Sequence, residues 1–96
     1  MADKPRRYHP TFVNDLSTAV DYYDTISTDL GNRFRDAVRE KLGLISQSPE
    51  LYAQIHENLR AVRLNRFPYV VIYRNHQELV AMLGIKHASS DPTTWF

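Results

Sequence analysis

The hydrophobic period of this chain changes once, from a helical period in the first half to an alternating period in the second. Apolar residues recur three or four positions apart between residues 12 and 45, whereas apolar and polar residues alternate from residue 60 onwards. The first period is typical of amphipathic helices, and the second is typical of strands with one buried face. The chain therefore predicts two helices followed by strands, which is an α+β arrangement.

The helical half divides into two amphipathic segments joined by a short link. The first apolar stripe covers residues 12–27, with Thr11 as its expected N-cap, and the second covers residues 30–45. Asp29 is expected to cap the second helix. Ser48-Pro49 is expected to end it, because the residue before a proline avoids helical backbone angles. Such a short link predicts that the two helices form an antiparallel hairpin.

The alternating half predicts three strands, at residues 61–67, 69–74 and 78–87. The middle strand, YVVIYR, is rich in β-branched and aromatic residues, as expected of a central strand that is buried on both faces. Residues 75–77 form the expected turn before the last strand, and residues 6–9 could add a short further strand. The predicted order is β-α-α-β-β-β, with the helical hairpin packed on one face of a small, mostly antiparallel sheet. The other face of the sheet is then expected to be free to carry function.

Composition excludes several classes of protein. The chain has 96 residues, of which 43% are hydrophobic and 24% charged, so residues 1–96 are expected to form one ordinary globular domain. No apolar run has the length of a membrane span, and the start, MADKPRRYHP, has no apolar stretch behind its charges. We therefore expect no membrane partner and no secretory signal. The absence of cysteine excludes disulfide scaffolds and thiol catalysis, and it is compatible with the cytoplasmic location that we expect.

The signatures of most enzymes are missing as well. The three glycines form no phosphate-binding loop, and the sequence has no G-x-S-x-G motif. The four histidines lie far apart along the chain and have no metal-ligand spacing. We therefore expect neither a metal nor a cofactor.

Basic residues are concentrated in the second half, although the net charge is only +1. Residues 11–30 contain four aspartates and no base, whereas residues 60–87 contain five bases and the single acid Glu78. Such a distribution can create a basic face even when the total charge is small. The five bases are Arg60, Arg63, Arg66, Arg74 and Lys86. Each arginine taken alone is more simply interpreted as a solvated surface residue.

One group of these residues could act on a nucleic acid. If the first predicted strand lies beside the middle one, several guanidinium groups can converge on a polyanion, and their planar forks match phosphate oxygens. His87, at the end of the last predicted strand, could act as a general acid or base near neutral pH. A structural histidine at a strand end is an equally good interpretation. Tyr69 and Tyr73 share one strand face and could stack on bases, although core packing is the more common role for such a pair.

Short motifs follow one another along the chain in a recognisable order. They are Tyr22-Tyr23, Phe34, residues 42–45, Pro49, Tyr52, Arg63, Phe67-Pro68-Tyr69, Ile72-Tyr73-Arg74, His87, Asp91-Pro92 and Trp95. In this order and spacing they resemble the RelE/ParE superfamily of toxins from type II toxin–antitoxin systems. The resemblance covers nearly the whole chain. It implies a helical hairpin on a small antiparallel sheet. It also implies a cognate antitoxin that wraps an extended or helical segment over the toxin in a hetero-oligomer.

The resemblance implies one of two activities. RelE-like members enter the ribosomal A site and cleave mRNA without a metal, by attack of the RNA 2′-hydroxyl on the adjacent phosphate. For that activity Arg63 and Arg74 would stabilise the developing charge and His87 would transfer a proton. The residues expected to bind the nucleic acid are Arg60, Arg66 and Lys86. ParE-like members have the same fold but poison DNA gyrase without catalysis. Messenger RNA cleavage on the ribosome is the expected function, and gyrase inhibition is the alternative.

Three departures weaken the nuclease interpretation. Ser90 stands where the family commonly has an arginine before Asp-Pro, and no lysine cluster precedes the predicted sheet. The chain closes on Trp95-Phe96, without the C-terminal tyrosine that several ribosomal nucleases present. Segments such as Phe67-Pro68-Tyr69 occur in ParE-like members, which favours the gyrase alternative. A degenerate toxin that only binds its antitoxin is a third hypothesis.

Overall fold

A computed structural model describes residues 3–95, so the closing Phe96 lies outside the described residues. Helix α1 spans Pro10–Ile26 and helix α2 spans Thr28–Gln47. Ser27 alone links them, since its backbone N–H closes α1 and its side chain caps α2. A link of one residue confirms the predicted hairpin. Within the described range, neither helix is both long and apolar enough to cross a membrane.

Both helices begin slightly earlier than the sequence predicts. The N-cap of α1 is His9, whose Nδ1 accepts the N–H of Thr11, so the cap predicted at Thr11 is wrong. Pro10 lets the helix start there, because its fixed φ angle suits the first helical position. The cap predicted at Asp29 is also wrong, since the hydroxyl of Ser27 takes that role. Asp29 instead lies in the first turn of α2, where the helix dipole favours an acid.

Five strands form one sheet in the order β1-β5-β4-β3-β2. The strands are β1 (Arg6–Tyr8), β2 (Gln54–His56), β3 (Leu59–Arg63), β4 (Tyr69–Asn75) and β5 (Val80–His87). Only β1 and β5 are parallel, and the other neighbours are antiparallel. A short 3-10 helix, Pro92–Thr94, follows the sheet. This architecture confirms the predicted α+β class and the mostly antiparallel sheet.

The sheet differs from the prediction at β2 and β3. The first strand of the second half was predicted at residues 61–67, but β3 ends at Arg63 because the next residues turn back towards β4. Arg66 in that turn has a φ of 69°, and the N–H of Leu64 bonds to the carbonyl of Tyr69. Strand β2 was not predicted, and it joins β3 through a tight turn in which Asn58 has a φ of 54°. Asparagine tolerates this left-handed backbone better than most residues.

The main core lies between the helical hairpin and one face of the sheet. Its most deeply buried side chains include Phe12, Phe34, Ile45, Val71, Tyr73 and Met82. The opposite face was predicted to be free, and that prediction is wrong for its centre. Leu59, Val70 and Ile72 are buried there, and Trp95 of the C-terminal segment packs against them. The apolar residues on both faces of β4 explain why the chain end folds back over this face.

Candidate functional site

The strand register separates the two arginines that were predicted to stabilise charge. Arg63 lies opposite Val70, and Arg74 lies opposite Leu59. Both arginines therefore lie on the sheet face that carries the small second core, away from the helices. Val70, the partner of Arg63, lies four residues before Arg74 along β4, which is about 13 Å of strand. Neighbouring strands thus do not bring these guanidinium groups together.

Arg60 and Arg74 hold the loop around β2. Nη1 of Arg60 donates to the carbonyls of Glu50 and Tyr52, at 3.1 and 2.7 Å. Nη1 of Arg74 donates to the carbonyl of Glu57 at 2.8 Å. Arg60 lies on the helix-facing side of β3, opposite to the face of Arg74. Both side chains are partly buried, and the contacts are those of structural residues that satisfy main-chain carbonyls.

Lys86 and Arg66 are directed to other parts of the molecule. Lys86 Nζ lies 2.9 Å from a carboxylate oxygen of Asp15 on α1, and about a quarter of each side chain is exposed. Arg66 is exposed in the β3–β4 turn and lines a groove against α2 together with Arg33 and Glu40. The five bases therefore do not form one continuous basic face.

A β-bulge in β5 determines the face of the sheet on which His87 lies. Ile72 pairs with Gly84 and Tyr73 with Met82, so Leu83 is an extra residue in β5. An extra residue reverses which side chains of the following segment face the helices. His87 consequently lies on the helix-facing side, where its ring packs against Tyr69 with the centroids 5.2 Å apart. Arg63 and Arg74 lie on the other face.

Ser89 forms hydrogen bonds with one ring nitrogen of His87. Its Nδ1 accepts the backbone N–H of Ser89 at 3.1 Å, and the Ser89 hydroxyl lies 2.7 Å from the same nitrogen. A backbone N–H can only donate, so Nδ1 carries no proton and the proton of the neutral ring is on Nε2. In this arrangement the ring can donate a hydrogen bond through Nε2.

Comparison with known proteins agrees with this fold. A family described as ParE toxin of type II toxin-antitoxin system, parDE, has a model that matches residues 6–92. The chain belongs to the ParE toxin family. Toxin ParE2 from two Mycobacterium tuberculosis strains, CDC 1551/Oshkosh and ATCC 25618/H37Rv, is 32% identical over 90 residues, covering 90% of this chain and 83% of the relative.

A solved structure titled "Chromosomal ParDE TA system from P. aeruginosa" contains a chain with the same fold. The TM-score is 0.78 at 17% identity, covering 90% of this chain and 97% of that one. Together these matches confirm that the chain is a type II toxin of the RelE/ParE superfamily. A toxin of such a system has an antitoxin as its partner.

The residue that departs from the superfamily's closing motif has a structural role in this ParE-family chain. The hydroxyl of Ser90 donates to the carbonyl of His87 and accepts the indole N–H of Trp95, at 2.6 and 2.8 Å. Asp91 caps the 3-10 helix by accepting the N–H of Thr93, and hydrogen bonds from Thr93 hold the pKa of the Asp91 carboxyl below its ordinary value. The sequence analysis did not predict this network. The run Ser89-Ser90-Asp91-Pro92 before the single tryptophan is the feature of the sequence that indicates it.

The predicted catalytic residues are thus placed apart. His87 lies on one face of the sheet, and Arg63 and Arg74 lie at different ends of the other. Among residues 3–95, no three histidine, aspartate or glutamate side chains are grouped so that they could hold a metal ion. The catalytic and nucleic-acid-binding roles of these residues stay predictions.

Proposed function

We propose that this ParE-family chain is a cytoplasmic toxin that arrests growth by binding and poisoning DNA gyrase, without catalysing a reaction itself. The observation that supports this proposal is the separation of Arg63, Arg74 and His87 across the sheet. Metal-independent RNA cleavage needs charge-stabilising and proton-transferring groups within hydrogen-bond reach of one phosphate. Three side chains divided between the two faces and the two ends of the sheet are not placed to contact one phosphate together.

The hydrogen bonding of His87 is compatible with a binding surface. Its Nδ1 accepts a main-chain N–H from Ser89, so the nitrogen is occupied by a structural bond. Its Nε2 can then donate a hydrogen bond on a binding surface. The match to a ParE family model over residues 6–92 is also in favour of a gyrase poison over a ribosomal nuclease.

The decisive experiment removes two of the three predicted catalytic residues while leaving the fold intact. The double variant Arg63→Ala/His87→Ala changes two exposed residues that lie outside both buried clusters. Expressed alone in bacteria, it is expected to retain most of the wild-type toxicity, with DNA breaks, an induced DNA-damage response and intact mRNA. Copurification with the antitoxin and the thermal unfolding midpoint report whether the variant is folded.

The competing hypothesis predicts a different set of results. If Arg63 and His87 act in RNA cleavage, the folded double variant loses toxicity and the wild-type chain produces cleaved mRNA before any DNA damage. If the chain is a degenerate toxin, strong expression without antitoxin leaves growth unimpaired. Either result would refute the proposed function.

A further inference from the structure

The turn between β3 and β4 holds an arginine in a backbone conformation that arginine rarely adopts. Within the described range, the non-glycine residues with a positive φ are Asn58, at 54°, and Arg66, at 69°. Asparagine tolerates this left-handed region because its short polar side chain can bond to the nearby backbone, whereas the Cβ of most residues lies too close to a carbonyl oxygen there. The backbone at Arg66 is therefore strained, and its conformation alone would favour glycine or asparagine.

The residues around Arg66 hold the turn in this shape. The N–H of Leu64 donates to the carbonyl of Tyr69 at 2.9 Å and closes the turn. Phe67 is buried, and the centroid of its ring lies 5.1 Å from those of one aromatic ring on each helix. Pro68 has a fixed φ angle because of its ring. The direction in which the Arg66 side chain leaves the turn is therefore set before any partner binds.

The side chain of Arg66 forms no contact within the fold that would offset this strain. It is exposed, and among residues 3–95 it has neither a hydrogen bond nor an ion pair. By contrast, Arg33 and Arg39 on the neighbouring helix are each paired with an aspartate, at 3.0 and 2.8 Å. Strained backbone positions cluster at binding sites, where the strained residue has a role outside the fold. The observed strain at an unpaired cation therefore points to an intermolecular contact.

The surroundings of Arg66 favour a protein as the partner. Arg66 lines a groove of about 590 Å³ between the turn and α2. The groove combines apolar side chains with charges of both signs, namely Leu30, Ala37, Phe67, Arg33, Asp36 and Glu40. Surfaces that bind nucleic acid are strongly positive, and the two carboxylates would repel phosphates. Apolar contact beside one unpaired cation instead suits a protein surface that presents a carboxylate.

We propose that Arg66 is a residue by which the toxin contacts its protein target, through a carboxylate on the target's surface. The planar guanidinium group can bind both oxygens of a carboxylate. Because the strained turn fixes the direction of the side chain, less conformational freedom is lost when the target binds. The inference rests on the proposed function in taking gyrase as that target, whereas growth arrest tests the role of Arg66 for any protein target.

Arg66→Gly and Arg66→Asn remove the guanidinium group and relieve the backbone at the same time. In bacteria without antitoxin, growth arrest by either variant is expected to need at least about tenfold more toxin than the wild type, and binding to purified gyrase should weaken by a similar factor. The midpoint of urea unfolding should stay equal to that of the wild type or rise. Two controls should arrest growth at the wild-type level. Asn58→Gly changes the other left-handed residue, and Arg7→Gln removes the same charge from an exposed position on β1.

Three results would overturn the role of Arg66. They are wild-type toxicity of both Arg66 variants, a lower unfolding midpoint for both, which would show an internal structural role, and binding of the wild-type chain to duplex DNA alone that Arg66→Gly abolishes. The proposed target is tested separately. If the wild-type chain does not bind gyrase while both variants still lose toxicity, the target is wrong and the role of Arg66 stands. If the wild type and both variants bind gyrase equally, the target stands and the role of Arg66 is wrong.

Discussion

Asp15 connects the first helix to the last strand at a point where the sheet edge is open. Its carboxylate accepts the backbone N–H of Ile85 at 3.0 Å and contacts Lys86 Nζ at 2.9 Å. Strand β1 pairs with β5 only as far as Met82, so the carboxylate takes the place of a neighbouring strand for Ile85. We predict that Asp15→Ala destabilises the protein through the lost main-chain bond more than through the lost ion pair.

The magnitude follows from the two contacts. A partly buried N–H left without an acceptor costs about 1–3 kcal/mol. An ion pair with about a quarter of each side chain exposed adds at most about 1 kcal/mol. Asp15→Ala should therefore lower the free energy of unfolding by about 2–3 kcal/mol, whereas Lys86→Met, which removes only the ion pair, should lower it by about 1 kcal/mol or less. For a domain of this size the larger loss corresponds to a decrease in Tm of about 10–20 °C.

Urea unfolding followed by far-ultraviolet circular dichroism measures both variants. Gly84→Ala provides a third comparison, because a Cβ there would lie 2.9 Å from the Asp15 carboxylate and 3.0 Å from Lys86 Cε. It should therefore weaken the same contact without removing either partner. Equal losses for Asp15→Ala and Lys86→Met, or a loss below about 0.5 kcal/mol for Asp15→Ala, would refute this reasoning.

Three further predictions concern the core and the loop around β2. Phe34→Ala should cost about 3–5 kcal/mol in urea unfolding, because Phe34 is fully buried between the rings of Tyr23 and Phe67. Burial raises the pKa of Tyr73 to about 12 from 10.0, so the unfolded chain loses this proton first. The free energy of unfolding should therefore decrease as the pH rises from 10 to 12, which urea unfolding at a series of pH values measures. Tyr73→Phe should make this decrease smaller. Arg60→Met removes two hydrogen bonds to main-chain carbonyls, which should cost about 1.5–3 kcal/mol of local stability. Hydrogen exchange in β2 should therefore become roughly tenfold faster or more. Unchanged exchange would contradict the role of Arg60 in holding this loop.

The helices and the inner strands could be predicted because their burial repeats along the sequence. Phe12, Ala19 and Tyr23 lie on one side of α1, and all three are buried. Strand β4 is buried on both faces, which its unbroken apolar run indicates. Strand β2 could not be predicted in this way, since all of its residues are exposed. It exists because its backbone pairs with β3 and because Arg60 holds the adjoining loop, which are contacts that no local pattern records.

The candidate site was harder to predict than the fold because it depends on one inserted residue. Simple alternation from Val80 would place Lys86 towards the helices and His87 on the face of Arg63 and Arg74. The bulge at Leu83 reverses these two positions. A bulge is set by pairing with another strand, here β4, so nothing in the sequence of β5 itself reveals it. The bulge therefore places His87 on the face opposite to Arg63 and Arg74, whereas the register of β3 and β4 separates the two arginines from each other.

The measurement that tests the central claim most directly combines the purified chain with purified gyrase and supercoiled plasmid, in parallel with translating ribosomes programmed with mRNA. We expect DNA breaks that require both the chain and gyrase and that disappear when the antitoxin is added, while the mRNA stays intact. Cleaved mRNA on the ribosomes, together with unaltered gyrase activity, would contradict the account and return Arg63, Arg74 and His87 to a catalytic role.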